Sequence, residues 1–249
     1  MKLDKVIAVR TSKTIYRDGD KAIKLFDKDY SMADILNEAL NHARVEETGI
    51  KIPKLLEVTT IQGKCAIVMQ YIPGKTLEKL MAEHPENEEE YLNLFVNIQM
   101  EIHSCKAPLL TRQYDKFDRK ISQSSFDATT RYDLHSRLDA MKRHDKICHG
   151  DFNPSNIIIT RDKTPYILDW SHATQGNASA DVARTYLIFR LQGKNDLASK
   201  YLDVFCRKSD TAKQYVLKWL PIVAASQSVK GKPEERKLLS SWVDVVDYE

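Results

Sequence analysis

The sequence predicts an α+β protein of two lobes: a five-stranded antiparallel sheet with one helix over residues 1–71, then a mostly helical part over 72–249. Three observations carry this. Short runs of strand character crowd the first seventy residues. The spacing of apolar residues turns helical after Pro73-Gly74. The chain has 249 residues, 42 % of them hydrophobic and 29 % charged. At roughly 150 residues per domain, one large domain or two unequal ones are the natural options. With 8 Gly and 8 Pro, the composition excludes disordered, collagen-like and low-complexity classes.

The elements follow in order. Lys5–Arg10, Thr14–Arg17 and Lys21–Phe26 read as three strands of a meander. Asp18-Gly19-Asp20 turns between the last two, because Gly accepts positive φ and Asp bonds its own backbone. Ser31 caps a helix with Asp34 three positions on, and Ile35, Leu36, Ala39, Leu40 and Ala43 form its apolar face. Lys54–Thr60 and Lys64–Tyr71 complete the sheet around Gln62-Gly63. Thr76 caps a helix to about His84. Asn87–Ser104 forms a longer one, with Leu92, Phe95, Ile98 and Ile102 on one stripe and an acidic start that suits the helix dipole. Helical segments at 114–122 and 130–143 lead to a β island, Ile157–Thr160 and Pro165–Leu168. Helices resume at 179–191, 195–207, 210–228 and 233–247. Trp219, Trp242 and Tyr248 read as aromatic helix packing.

Charge and cysteines narrow the class. Lys and Arg number 38 against 35 Asp and Glu, far from the basic bias of a dedicated nucleic-acid binder. No apolar run nears the ~18 residues of a membrane span. Met1-Lys2-Leu3-Asp4-Lys5-Val6 has no apolar signal-peptide core. Cys65, Cys105, Cys148 and Cys206 form no C-x-x-C pair, so metal and redox motifs fail on spacing. The expectation is a cytoplasmic protein with reduced thiols, monomeric or homodimeric, that binds neither nucleic acid nor membrane.

The densest chemistry lies in His149-Gly150-Asp151-Phe152-Asn153-Pro154-Ser155-Asn156. Asp169 follows thirteen residues later, at the end of the next short strand. Asp151 and Asn156 stand five apart, the spacing of the kinase catalytic loop H-R-D-x-x-x-x-N. Phosphoryl transfer needs an anionic group to orient the attacking hydroxyl and take its proton, and Asp151 fits. It also needs hard oxygen ligands for Mg²⁺, which Asn156 and Asp169 supply from adjacent segments.

On these residues the chain resembles the aminoglycoside phosphotransferase and choline kinase family, a branch of the protein-kinase-like fold, over about residues 5 to 190. The resemblance implies a small-molecule kinase. Asp151 would be the catalytic base, and Asn156 and Asp169 would hold the metal. His149 would be structural, and Asp181 would brace the catalytic loop from a following helix. Lys24 resembles the strand-three lysine of the α/β-phosphates, and Glu38 its helix partner. Ile67–Gly74 resembles the interlobe hinge, with Met69 as gatekeeper and Gln70 and Ile72 offering backbone groups to a purine. The helix ending at Ile102-His103 resembles the family's long helix. The implied ligands are ATP or GTP, Mg²⁺ and a hydroxyl-bearing acceptor.

Two departures stand out. Arg10-Thr11-Ser12-Lys13-Thr14 occupies the place of the glycine-rich loop without a glycine, leaving backbone amides and the side chains of Ser12 and Lys13 to reach phosphates. Asn177 stands where the family often carries an acid. Gly150 replaces the arginine of many protein kinases, Asp169-Trp170 replaces Asp-Phe-Gly, and no Ala-Pro-Glu follows. A small-molecule acceptor fits better than a protein, with an atypical protein kinase or a nucleotide-binding pseudokinase as alternatives. From Asp151 onward there are 14 Lys and Arg against 12 Asp and Glu, no acidic excess for a polycationic drug, so a metabolite and an antibiotic both stay open. His103, His144 and His172 read as satisfied or surface histidines. Pro73-Gly74-Lys75-Thr76 fails as a P-loop, since Met69 stands where its first glycine belongs.

Overall fold

The computed structural model describes residues 1–243. The elements begin with β1 (Lys5–Arg10), β2 (Lys13–Asp18), β3 (Lys21–Phe26), α1 (Met32–Glu46), β4 (Leu55–Ile61), β5 (Lys64–Gln70), β6 (Lys75–Thr76) and α2 (Leu77–Glu83). There follow α3 (Glu88–Ser104), α4 (Gln113–Gln123), α5 (Ala128–Ala140), β7 (Lys146–Cys148), β8 (Ile157–Ile159), β9 (Pro165–Ile167) and β10 (Thr174–Gly176). The last are α6 (Ala178–Leu191), α7 (Asn195–Ser209), α8 (Lys213–Leu217), α9 (Leu220–Ser228) and α10 (Arg236–Val243). Two compact units emerge among the described residues, 1–88 with 154–172 and 89–153 with 173–243. A partition by sequence at 71/72 keeps each part continuous; by contact, the hairpin that carries Asn156 and Asp169 groups with the sheet.

The sheet unit is built on an antiparallel sheet of order β1-β2-β3-β5-β4. Ile23 pairs with Val68, Lys24 with Ile67 and Leu25 with Ala66. Alternation then sorts the side chains. Ile23, Leu25, Ala66 and Val68 share one core cluster. Phe26 and Ile67 join Ile35 and Ala39 of α1 in a second. Lys24 follows the parity of Phe26, so it stands on the α1 face.

Ser31 caps α1 by accepting from the Asp34 N–H at 3.3 Å. The apolar face of α1 is narrower than its sequence suggests. Ile35 and Ala39 are buried, but Leu36 and Leu40 are 51 % and 48 % exposed. Polar Glu38, Asn41 and His42 take the buried positions instead; two of them have partners there, Glu38 pairing with Lys24 and His42 Nε2 lying 2.6 Å from the Pro53 carbonyl. A second small sheet, β6-β8-β9, completes the unit.

The helical unit packs around α3, whose Leu92, Phe95, Ile98 and Ile102 are buried as their stripe predicts. Phe95 stacks on Phe152 with centroids 4.4 Å apart. Two three-residue strands, β7 and β10, pair antiparallel here, too short to register as a sequence pattern. The helix expected over 210–228 is two helices, α8 and α9. Pro221 has no N–H to continue the ladder from Leu217, so it sits in the first turn of a new helix. Trp219 packs against Phe117 and Trp242 against Tyr186. Tyr248 and the end of the helix expected over 233–247 lie outside the described residues. All four cysteines are free. No described helix is long and apolar enough to cross a membrane.

Gly74 is where β6 meets β8 at closest approach. A Cβ there would sit 2.4 Å from the Ile159 carbonyl oxygen and 2.6 Å from the Ile158 Cγ2. Gly74→Ala is expected to cost about 1–3 kcal/mol, the usual penalty of overpacking, read as a lowered urea midpoint.

Candidate active site

In the sheet unit, four charged side chains from distant segments meet. Lys24 Nζ pairs with Glu38 Oε1 and lies 3.3 Å from Asp169 Oδ1. Lys13 Nζ lies 3.2 Å from Asp169 Oδ2 and 3.8 Å from Glu38 Oε2. The Ser171 hydroxyl donates to Asp169 Oδ1 at 2.9 Å. Local structure explains the meeting. Lys13 pairs with Phe26, and Ile15 with Lys24, across β2 and β3. Cross-strand partners share a face, so both lysines project with Phe26 towards α1.

Asp169 reaches the cluster through a sharp turn. The Leu168 N–H donates to the Asn156 carbonyl at 2.8 Å, and Trp170 is fully buried just after. Asp169 itself takes φ +61°, a left-handed conformation that Asp tolerates better than most residues.

Two ammonium groups against two carboxylates make the cluster neutral, which is what lets it be buried. Burial alone would raise the Asp169 carboxyl, but Lys24, Lys13 and the Ser171 hydroxyl hold it far below the usual carboxylate range. Burial would lower the Lys24 ammonium, but Asp169 and Glu38 raise it well above its ordinary value.

Of the other residues expected to contact a nucleotide, Ser12 gives its carbonyl to the Asp27 N–H at 3.0 Å and is not part of the charge cluster. Met69 is partly buried against the α1 core. The Gln70 N–H donates to the Lys54 carbonyl at 2.9 Å, so it is already used. Ile72 is buried, and neither its N–H nor its C=O has a hydrogen-bond partner among the described residues. Asn156 and Asp169 are hard oxygen donors suited to Mg²⁺. No three His, Cys, Asp or Glu side chains cluster as a metal site among the described residues.

In the helical unit, Asp151 sits on a loop tied down from several sides. The Gly150 N–H donates to Asp181 Oδ1 at 2.7 Å, with Gly150 at φ +77°. The Asp151 N–H donates to His149 Nδ1 at 3.2 Å, and His149 is fully buried. The Asn153 amide donates to the Asp151 carbonyl at 3.0 Å. Arg184 Nε donates to the Gly150 carbonyl at 3.3 Å, and the Thr185 hydroxyl to the Phe152 carbonyl at 2.9 Å.

Asp181 is the hub. Its Oδ2 accepts from His103 Nε2 at 3.0 Å and from the Gln99 amide at 3.4 Å. Burial would raise its carboxyl, but the His103 and Gly150 hydrogen bonds hold it below the ordinary value. Asn177, where an acid might stand, caps α6 by accepting from the Ser179 N–H at 2.9 Å. Sequence reasoning missed Gln99, Arg184 and Thr185 as supports of this loop. The only signal was Gln99 standing four residues before His103 on the inward face of α3.

The comparisons with known proteins follow this geometry. Residues 6–215 match the model of the phosphotransferase enzyme family. No curated protein matches the sequence. Among solved structures, aminoglycoside-3'-phosphotransferase of type VIII aligns with TM-score 0.66 at 14 % identity, covering 89 % of this chain and 93 % of that one. Choline kinase LicA from Streptococcus pneumoniae aligns with TM-score 0.62 at 13 % identity, covering 97 % and 94 %. A thermostable mutant of aminoglycoside phosphotransferase APH(4)-Ia, in a ternary complex with AMP-PNP and hygromycin B, aligns with TM-score 0.67 at 12 % identity, covering 96 % and 89 %. The fold is therefore the protein-kinase-like fold of these enzymes. With the family model spanning most of its length, the chain belongs to the phosphotransferase enzyme family.

Proposed function

We propose that this protein transfers the γ-phosphate of ATP or GTP to a hydroxyl group of a small molecule. The observation that carries the reading is the charge cluster of buried Lys24 and Glu38 with partly buried Asp169 and Lys13, together with an Asp151 loop braced by Asp181. The acceptor hydroxyl oxygen attacks the γ-phosphorus in line. The bond from that phosphorus to the β–γ bridging oxygen breaks, the nucleoside diphosphate leaves, and the hydroxyl proton passes to the Asp151 carboxylate. Positioning and charge neutralisation supply most of the rate.

Each residue has a part. Lys24, oriented by Glu38, contacts the α- and β-phosphates. Lys13 and the backbone around Ser12 stand in for the missing glycine-rich loop: a second ammonium supplies the positive charge that a run of free amides gives elsewhere. The Gln70 carbonyl and the free backbone groups of Ile72 meet the purine edge, and Met69 packs beside it. Asn156 and Asp169 would hold Mg²⁺, which supplies charge neutralisation at the phosphates. A ternary complex of a fold neighbour with AMP-PNP and hygromycin B supports a nucleotide and a hydroxylated acceptor as the two substrates here.

The direct test is Mg²⁺-dependent ADP release with pooled hydroxylated metabolites and aminoglycosides. A pool that stimulates release well above background is expected; stimulation only by protein acceptors would overturn the small-molecule reading. Asp151→Asn is expected to keep nucleotide affinity while lowering turnover about 10²–10⁴-fold, the usual share of general base catalysis. Asp169→Ala is expected to abolish metal-dependent turnover in the same assay.

The brace has its own pH signature. Because the folded Asp181 carboxyl is held low, its stabilisation is complete above the unfolded value of about 3.9 and is lost as pH falls below it. Asp181→Asn is expected to flatten the acid limb of stability below about pH 4, measured by urea unfolding across the acid range.

A further inference from the structure

The helical unit contains a cavity of about 640 Å³ whose lining holds none of the residues given a part in the proposed reaction. This volume suits a small organic molecule. Its lining is chemically lopsided. Met100 and Phe205 supply apolar surface, while Lys142, His144, Lys146 and Lys208 contribute basic groups. Asp210 is the only acidic residue in the lining. None of the three lysines forms an ion pair among the described residues, and Lys208 donates only to the Asn97 amide oxygen at 3.0 Å. Burial, then Lys142 and Lys146, push the His144 imidazole below its ordinary value, with Asp145 acting the other way. The first turn of α6, Asn177 to Ser179, also faces the cavity, adding the positive end of a helix.

A second, independent observation concerns His103, which lines the same cavity. It is only 4 % exposed. Its Nε2 is bound to Asp181, but its Nδ1 has no partner among the described residues. The ring therefore ties the cavity wall to Asp181 through a single hydrogen bond.

We propose that this cavity binds a small anion with an apolar body, a carboxylate, sulfonate or phosphate ester on an aromatic or acyl frame, and that its occupancy is felt at the catalytic loop. The lysines take the anion, and Met100 and Phe205 take the body, against the wall that His103 helps to form. The route to the loop is short. His103 Nε2 holds Asp181 Oδ2 at 3.0 Å, and Asp181 Oδ1 holds the Gly150 N–H at 2.7 Å, next to Asp151. Asn177, in the cavity wall, caps the helix that carries Asp181. Binding stands apart from the assigned reaction and is tested without it.

The probe is 1-anilinonaphthalene-8-sulfonate, an anion on an aromatic frame, titrated into the full chain by fluorescence. Saturable one-site binding is expected. Replacing Lys142, Lys146 and Lys208 together by Gln is expected to weaken it about tenfold or more, the sum of three modest ion pairs. The same charge removal at Lys5, Lys28 and Lys237 is expected to leave it unchanged. Equal affinity in the two triple variants, or no saturable binding by the wild type, would overturn the site. Urea midpoints matching the wild type establish that the surface variants fold. Hydrogen exchange at the Gly150 amide reads the coupling: slower exchange at saturating dye supports it, and an unchanged rate overturns it.

Discussion

A neutral quartet of charges, two buried and two partly buried, organises the sheet unit. Lys24 cannot sit 4 % exposed without a counter-charge; Glu38 supplies it, and Asp169 with Lys13 adds a second opposite pair beside it. Satisfying all four fixes several things together. It sets the parity of β3, turns a polar residue of α1 inward, and closes the hairpin that carries Asp169 onto the sheet. The left-handed backbone at Asp169 follows from the same demand, since the carboxylate has to face two lysines from a chain that also buries Trp170 one residue later.

The helical unit answers a similar demand with a different device. Its key carboxylate, Asp181, holds a backbone amide and a histidine rather than lysines. That choice suits its task. A hydrogen bond to a backbone N–H fixes the conformation of a loop, whereas an ion pair between long side chains fixes mainly their tips. One unit thus pairs side-chain charges with one another, and the other holds a peptide plane.

Much of this was legible in the sequence because phosphoryl transfer constrains residue type and spacing together. Asp151, Asn156 and Asp169 announce themselves by interval, and Lys24 by lying in a strand that also has to bury Ile23 and Leu25. What stayed hidden depends on long-range partners. Nothing local tells that Leu36 and Leu40 stay exposed while Glu38 and His42 go in, because that depends on Lys24 and Pro53. Lys13 reads in the sequence as a side chain reaching phosphates in place of glycines, but its approach to Asp169 depends on the β2–β3 register. The strands β7 and β10 have three residues each, below the length at which alternation is visible. The break before Pro221 was readable from its missing N–H, but the apolar run around it has helical spacing throughout.

The sheet unit also has a history in time. Lys24 and Glu38 are 14 residues apart in the chain, whereas Lys13 and Asp169 are 156 apart. At a synthesis rate of roughly 5–20 residues per second, about 8–30 s separate the emergence of these two partners. Throughout that interval the nascent sheet carries two inward lysines and one acid. The first strands are therefore made long before their charge is balanced, and the unit's final closure waits for a hairpin encoded beyond the whole of the helical unit's first segment. A ribosome pause or a chaperone acting between residues 89 and 153 would act on a sheet that is already paired but electrostatically unfinished.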